Sequence, residues 1–135
     1  MRRAAVILLS ILIMPGAPVV AADCPADMQV RTAIELYFGR NIGEVLGVSD
    51  EAWSKFLDEE ITPRFPDGLT VTTIDGQWQD KGSGRIVREP GKLLSLIVEP
   101  SAVATAKVGE LIALYKARHK QQSVLMTQRE ICALF

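Results

Sequence analysis

The order of hydrophobic patterns along the chain limits its fold more than any other feature of the sequence. Some segments alternate between apolar and polar residues, which is typical of strands with one buried face, and others repeat at helical spacing. The predicted order is strand, helix, strand, strand, helix, strand, over residues 30–38, 49–61, 69–74, 92–99, 101–120 and 123–127, with the last strand resumed near 131–135. This order predicts a ferredoxin-like split βαββαβ domain, an α+β fold with a four-stranded antiparallel sheet and two helices on one face.

The second and third strands are joined by a long polar segment, residues 75–91, which contains several glycines. Such a segment predicts a long hairpin arm. Because crossovers are right-handed, we expect the first and third strands in the centre of the sheet, with the last strand antiparallel to the first. Residues 92–99 are almost all apolar, which predicts a central strand buried on both faces.

The two cysteines, Cys24 and Cys132, stand near the start of the first strand and the end of the last. In an antiparallel pair these two ends meet, so we expect a disulfide that closes nearly the whole domain. The chain-entropy model gives such a loop about 4–5 kcal/mol of stabilisation. Two free thiols are the alternative, and the spacing is unlike the CxxC of redox-active pairs.

The first 22 residues have the three parts of a secretory signal peptide. Arg2 and Arg3 form a positive start, residues 4–14 are apolar, and small residues precede Asp23. The apolar run is shorter than the about 20 residues that cross a bilayer, so we expect no stable membrane span after cleavage. A buried N-terminal helix is the alternative, which the prolines at 15 and 18 disfavour.

Export would leave residues 23–135 as a single α+β domain in the periplasm or outside the cell. Lipidation of Cys24 is disfavoured because Asp23, and not a small residue, precedes it. With 135 residues and 48% hydrophobic residues, the chain is long enough for one domain and too apolar to be disordered.

The composition also argues against several classes of function. The net charge of −1 gives no basic face for nucleic acid. One histidine and two cysteines cannot form a His/Cys metal cluster within one subunit. The sequence contains no GxSxG element or other catalytic signature. We therefore predict no metal, no cofactor and no nucleic-acid partner.

Several segments together resemble a known family. The most specific is Pro63-Arg64-Phe65-Pro66-Asp67-Gly68-Leu69-Thr70; the others are Leu36-Tyr37-Phe38-Gly39-Arg40, Trp53 with Phe56, Gly76-Gln77-Trp78, Arg88-Glu89, Tyr115 and Gln121-Gln122-Ser123-Val124. They resemble the small exported bacterial proteins known as domain of unknown function 3574. The resemblance implies export and a single domain, and it implies no activity. The family pattern has an aromatic residue in place of His119 and a Ser-Lys type pair in place of Pro90-Gly91.

Polar and aromatic residues on the first strand and the hairpin arm are the candidate binding residues: Arg31, Glu35, Tyr37, Arg40, Gln77, Trp78, Arg88 and Glu89. If the first and third strands are neighbours, Glu35 and Glu89 are expected to share one concave face with Arg40, Gln77 and Trp78. A carboxylate beside an arginine is more often a structural ion pair than a catalytic group. Trp78 is either a stacking platform or a residue that packs the arm onto the sheet.

Two further residues have a chemical and a structural interpretation. His119 is a general base or, as we favour, the end of the apolar stripe of the second helix. Arg64 is expected to fix its loop by binding a carboxylate or a carbonyl oxygen, in preference to recognising an external anion.

Leu93, Ser95 and Ile97 form the face of the central strand that no helix covers in the predicted fold. Apolar residues there require a cover, from a second subunit or from the hairpin arm. The sequence therefore favours a non-enzymatic module that forms a homodimer, or binds an unidentified small ligand, through its open sheet face. The alternative is a cofactor-free enzyme of the dimeric α+β-barrel type, with a pocket lined by Arg31, Glu35, Tyr37 and Glu89.

Overall fold

The computed structural model describes residues 23–135, so the predicted signal peptide lies outside the described residues. The elements are β1 (Gln29–Gly39), β2 (Asn41–Ile42), β3 (Val45–Leu46), α1 (Asp50–Phe56), β4 (Thr70–Gln79), β5 (Ile86–Val98), α2 (Ala102–His119) and β6 (Leu125–Ala133). A π-helical turn, Leu57–Ile61, continues α1. Within the described region, no helix has both the length and the apolar character that crossing a membrane requires.

The four long strands form one antiparallel sheet in the order β4-β5-β1-β6. β1 pairs with β5 from Thr32↔Val98 to Gly39↔Gly91, and with β6 from Gln29↔Ala133 to Tyr37↔Leu125. β1 and β5 are therefore the central strands. The predicted α+β class, the four-stranded antiparallel sheet and the two helices are confirmed.

Alternation along β1 places its apolar side chains in the core. Ile34, Leu36 and Phe38 are at most 1% exposed, and they join one cluster with buried residues of both helices. The helix residues in this cluster are Trp53, Phe56, Val108, Leu111 and Tyr115. Since both helices contribute to the same cluster, they lie on the same face of the sheet.

The ends of α1 follow from its sequence. The Ser49 hydroxyl accepts a hydrogen bond from the backbone N–H of Ala52 at 3.1 Å, which satisfies one of the free donors at the helix start. Val48, which precedes Ser49, and Trp53 are both buried in the core cluster, as in a hydrophobic staple at a helix start. In the π-helical turn, the Thr62 N–H donates to the Leu57 carbonyl oxygen at 2.9 Å.

The hairpin arm is more regular than its composition indicates. β4 and β5 pair without interruption from Asp75↔Pro90 to Gln79↔Ile86, which leaves only residues 80–85 as the turn. Most of the arm is exposed, so neither side selects apolar residues, and a strand of this kind has no alternating pattern to detect. The same applies to β6, which is one continuous strand and not two segments.

The ends of the described chain are covalently joined. Cys24 and Cys132 form a disulfide with Cα atoms 5.5 Å apart, as predicted. Cys132 lies opposite Val30 in the β1–β6 ladder, so the bond holds the segment before β1 to the edge strand. Structural disulfides are typical of proteins that fold in a non-reducing compartment.

Candidate functional site

The sheet has a second face, turned away from both helices, which we call the open face. It consists of the alternate residues of the strands that do not point into the core: Arg31, Ala33, Glu35 and Tyr37 of β1, Glu89, Leu93, Ser95 and Ile97 of β5, and Leu125, Thr127, Arg129 and Ile131 of β6. Ile97 is 47% exposed and Leu125 is 59% exposed. The prediction that β5 is buried on both faces is therefore wrong, because the helices cover only one of them.

Glu35 is the centre of a polar cluster on the open face. Its Oε2 atom accepts hydrogen bonds from the Tyr37 hydroxyl at 3.2 Å and the Thr127 hydroxyl at 3.3 Å, and Arg129 Nη1 lies 3.9 Å away. The hydrogen bond to Glu35 raises the pKa of the Tyr37 hydroxyl, because an ionised tyrosine would lose it. The cluster therefore holds a carboxylate in place with two hydrogen-bond donors and one ion-pair partner.

Arg31 lies near one end of the open face. Its guanidinium donates to the Val30 carbonyl oxygen at 3.1 Å and to the Gln29 side chain, and it lies 3.7 Å from Glu99 Oε1. It also lies 5.8 Å from the centre of the Phe135 ring. Arg31 is thus partly neutralised and held against an aromatic side chain.

Glu89 lies towards the other end of the open face. Its Oε1 atom accepts the backbone N–H of Asn41 at 2.9 Å. A Cβ at position 39 would come within 2.5 Å of this oxygen, so Gly39 leaves room for the carboxylate. The Glu89 carboxylate lies beside Gly39, four residues from Glu35 along β1, so at about 3.3 Å per residue it is about 13 Å from the position of Glu35 on the strand. The two acids share a face but do not form a catalytic pair.

Three of the candidate residues lie on the other side of the sheet. Gln77 pairs with Arg88, one position out of phase with Glu89, so strand alternation directs both towards the helix side. Arg40 is only 4% exposed, and its Nε donates to the Val48 carbonyl oxygen at 2.8 Å while Nη1 lies 3.1 Å from Asp50 Oδ1. The expectation that Arg40 and Gln77 share a concave face with Glu35 is therefore wrong.

Trp78 lies in the hairpin arm opposite Val87, on the same side as the open face. Its side chain is 50% exposed, and it is outside the core cluster. Of the two interpretations, an accessible aromatic surface agrees with this position better than a residue that packs the arm onto the sheet.

His119 and Arg64 both make contacts within the protein that give them a structural role. The His119 ring packs on the rings of Tyr115 and Phe56 at centroid distances of 4.7 and 5.6 Å, and burial lowers its pKa. Arg64 Nη1 donates to the Glu60 carbonyl oxygen at 2.7 Å and to its Oε2 at 2.8 Å. The prediction that Arg64 binds a carboxylate or a carbonyl oxygen is confirmed.

Two functional candidates were missed by sequence reasoning. Thr127 and Arg129 reach Glu35 because β6 pairs with β1 in a register that the sequence alone does not give. The only available signal was the predicted antiparallel neighbourhood of these two strands. Across residues 23–135, no three His, Cys, Asp or Glu side chains are grouped closely enough to hold a metal ion.

Comparison with known proteins places the chain in a family. The family described as "Protein of unknown function (DUF3574)" matches residues 33–135. The chain belongs to this family. The match includes every open-face residue named above except Arg31. No curated protein matches the DUF3574 chain.

Solved structures with the same fold are distant in sequence. A phage SAM lyase in complex with S-methyl-5′-thioadenosine is 15% identical to the DUF3574 chain, with a TM-score of 0.60 over 86% of this chain and 96% of the lyase. A phage SAM lyase in its apo state is 16% identical, with a TM-score of 0.56 over 86% and 97%. CutA from Synechococcus elongatus PCC7942 is 10% identical, with a TM-score of 0.49 over 78% and 86%. At these identities the similarity to the two lyase structures shows the fold alone.

Proposed function

We propose that this DUF3574 protein is a non-enzymatic, ferredoxin-like split βαββαβ module that forms a homodimer through its open face. The observation that carries the proposal is the exposure of large apolar side chains on a face that both helices leave free. Leu125 and Ile97 are 59% and 47% exposed there, and Trp78 adds a half-exposed indole on the same side. Large apolar side chains exposed on an uncovered sheet face support an interaction site there.

The size of the open face supports a second copy as its occupant. Four strands about 4.8 Å apart and about ten residues long, at about 3.3 Å each, present about 600 Å² of sheet surface. A stable interface of standard size buries about 800 Å² on each partner. The sheet surface already includes the part of the hairpin arm that carries Trp78, and about 600 Å² on each copy lies at the lower end of the range for specific interfaces.

The charges on the open face also suit a copy of the same chain. A two-fold dimer places one patch against itself, so the patch must carry both signs to be self-complementary. Arg31 and Arg129 provide positive charge, and Glu35 and Glu99 provide negative charge close to them. A partner whose surface carries charge of only one sign would match this face less well.

The place of action that we propose is the periplasm or the cell exterior. The Cys24–Cys132 disulfide supports a non-reducing compartment. The predicted signal peptide over residues 1–22 supports export, which would leave one domain over residues 23–135.

The dimer is tested by measuring the mass in solution of protein purified from cells that express the full chain. Light scattering after gel filtration should give a dimer for the wild type and a monomer for Leu125→Asp, because two buried carboxylates would face an apolar surface. Leu46→Asp is the matched control, since Leu46 is a strand leucine of similar exposure, 56%, outside the open face. It should remain a dimer.

We expect a dimer Kd of about 1 μM or lower. A wild type that is still monomeric at a protein concentration of about 100 μM would therefore overturn the proposal. So would a dimer that persists in folded Leu125→Asp. If that variant does not fold, as judged by circular dichroism, Ile97→Lys provides the same test from the central strand β5, with the same expected monomer.

The second candidate is a cofactor-free enzyme, and the hydrogen-bonded carboxylate of Glu35 beside Tyr37 is the observation in its favour. The phage SAM lyases of the same fold suggest the probes: turnover of SAM and binding of S-methyl-5′-thioadenosine. Turnover that is lost in Glu35→Gln, and also in Glu89→Gln if both acids take part, would replace the binding proposal. Turnover that survives both substitutions would exclude these residues.

A further inference from the structure

A groove of about 500 Å³ lies at the end of the sheet opposite the hairpin arm. Loop 64–68, the end of β5 and the start of α2 form its walls, and Phe135 lies at its side. The loop belongs to the segment that most specifically carries the family resemblance. Of its side chains, Phe65 belongs to the core and Arg64 binds Glu60, and the exposed Pro66 and Asp67 have neither role. The volume is within the about 300–1,000 Å³ typical of sites for small molecules.

Lys107 brings one uncompensated positive charge into the groove. Its side chain is partly buried, and its Nζ donates to the Arg64 carbonyl oxygen at 3.2 Å. The two arginines of the groove have acidic partners: Arg64 lies 2.8 Å from Glu60, and Arg31 lies 3.7 Å from Glu99. Among residues 23–135, no carboxylate lies within ion-pair distance of Lys107. A partly buried ammonium without a counter-ion favours an anion beside it.

The acids of the groove limit the charge of that anion. Asp67 and Glu99 also line the groove, and both are exposed. A dianion such as a phosphate monoester would gain one cation and face two carboxylates. A single carboxylate has the charge that Lys107 alone can balance.

Part of the groove surface is apolar and accessible. Val103 is 65% exposed, Ile97 is 47% exposed and Phe135 is 85% exposed, although all three are large hydrophobic residues. Covering them with an apolar group would remove that surface from water. The groove therefore offers one charged contact and an adjacent hydrophobic wall.

We propose that this groove binds a small amphipathic monocarboxylate, with its carboxylate on Lys107 and its hydrocarbon chain against Val103, Ile97 and Phe135. The site is distinct from the centre of the open face around Glu35 and Leu125, but Arg31, Ile97 and Glu99 line the groove and also lie at the edge of the face proposed above for the homodimer. Binding is measured on the residues of the groove and does not depend on the mass of the protein in solution.

The test is a titration of isotope-labelled full-length protein with octanoate, followed by two-dimensional amide NMR. We expect saturable shifts at Gly68, Val103 and Lys107. Lys107→Met keeps most of the length of the side chain and removes its charge, so it should weaken octanoate binding at least tenfold. Lys116→Met is the matched control, because Lys116 is an exposed lysine on the same helix outside the groove, and it should bind as the wild type does.

Two further measurements test the charged contact and the apolar contact separately. Octanol has the same chain without the charge and should bind at least tenfold more weakly than octanoate. Val103→Asp places a carboxylate beside the ligand at an exposed position and should abolish binding, which provides the test if Lys107→Met does not fold. Equal affinity of octanoate and octanol, wild-type affinity in a folded Lys107→Met, or shifts at Leu125 and Trp78 in place of the groove would overturn the proposal.

Discussion

The two faces of β1 show how one strand serves two purposes. Towards the helices, Ile34, Leu36 and Phe38 are at most 1% exposed and belong to the core cluster. Between them, Glu35 and Tyr37 point the other way and hydrogen-bond to each other and to β6. Because successive side chains of a strand alternate, core residues and the polar residues of the open face are neighbours in the same segment.

The central and edge strands differ in the same way. β1 and β5 each place several residues in the core, whereas β6 has only Ala133 buried among its nine residues. The edge strand is therefore held mainly by its backbone pairing with β1 and by the Cys24–Cys132 disulfide. Burial stabilises the centre of the sheet, and a covalent bond secures its edge.

The largest effect is expected on the covered face. Phe38→Ala should destabilise the protein by about 3–5 kcal/mol, the usual cost of a large-to-small change at a buried aromatic residue. Phe38 has centroid distances of 4.6 Å to Tyr115 and 5.2 Å to Trp53, so a cavity would form where three rings meet. Urea unfolding monitored by circular dichroism measures the change.

The matched comparison is the next residue along the strand. Tyr37→Phe removes only the hydroxyl that donates to Glu35 on the open face, and it should change the stability by about 1 kcal/mol or less. Similar losses for Phe38→Ala and Tyr37→Phe would show that the two faces do not differ in the way described here.

The next largest effect is expected at the edge of the sheet. Replacing both Cys24 and Cys132 with serine opens a loop of sequence separation 108 and should cost about 2–5 kcal/mol. The loss should be local as well as global, because β6 has little buried surface of its own. Amide hydrogen exchange should therefore accelerate more in β6 than in β1.

The wild type without reducing agent is the control for this double variant. An unchanged free energy of unfolding, or an equal acceleration of exchange in β1 and β6, would show that backbone pairing alone secures the edge strand.

The parts of the fold that were predicted correctly are those with one buried face. The alternation over residues 30–38 and the helical spacing over 49–61 both arise because one side of each element meets the core. The hairpin arm and β6 were predicted less well, since most of their residues are exposed and carry no periodic pattern. The disulfide was predictable because it follows from the antiparallel neighbourhood of two strand ends.

The site was only partly predictable for a related reason. Alternation within β1 places Glu35 and Tyr37 on one face without further information. The position of Gln77 relative to Glu89 depends on the register of the hairpin, where a shift of one residue reverses the side of the sheet. The groove at Lys107 combines a loop, a strand end and a helix, and no local pattern brings these segments together.

The smallest effect that we predict is the pH dependence of His119. Burial against Tyr115 and Phe56 lowers the pKa of this histidine, and the neighbouring Arg118 adds to the shift. Between its folded-state pKa and the unfolded value of about 6.5, the unfolded chain binds the proton more than the folded chain does. Stability should therefore rise with pH through this window and fall as the pH decreases below about 6.5.

His119→Phe keeps a ring in the contact with Tyr115 and removes the titrating group. Because the chain has one histidine, the variant should lose most of the dependence between pH 5.5 and 7.5, while carboxylates titrate mainly below about pH 5. Thermal melting of both proteins at these two pH values measures the difference. An equal decrease in Tm for the wild type and His119→Phe at the lower pH would contradict a partly buried histidine with a lowered pKa, because a fully hydrated ring would bind its proton equally in the folded and unfolded states.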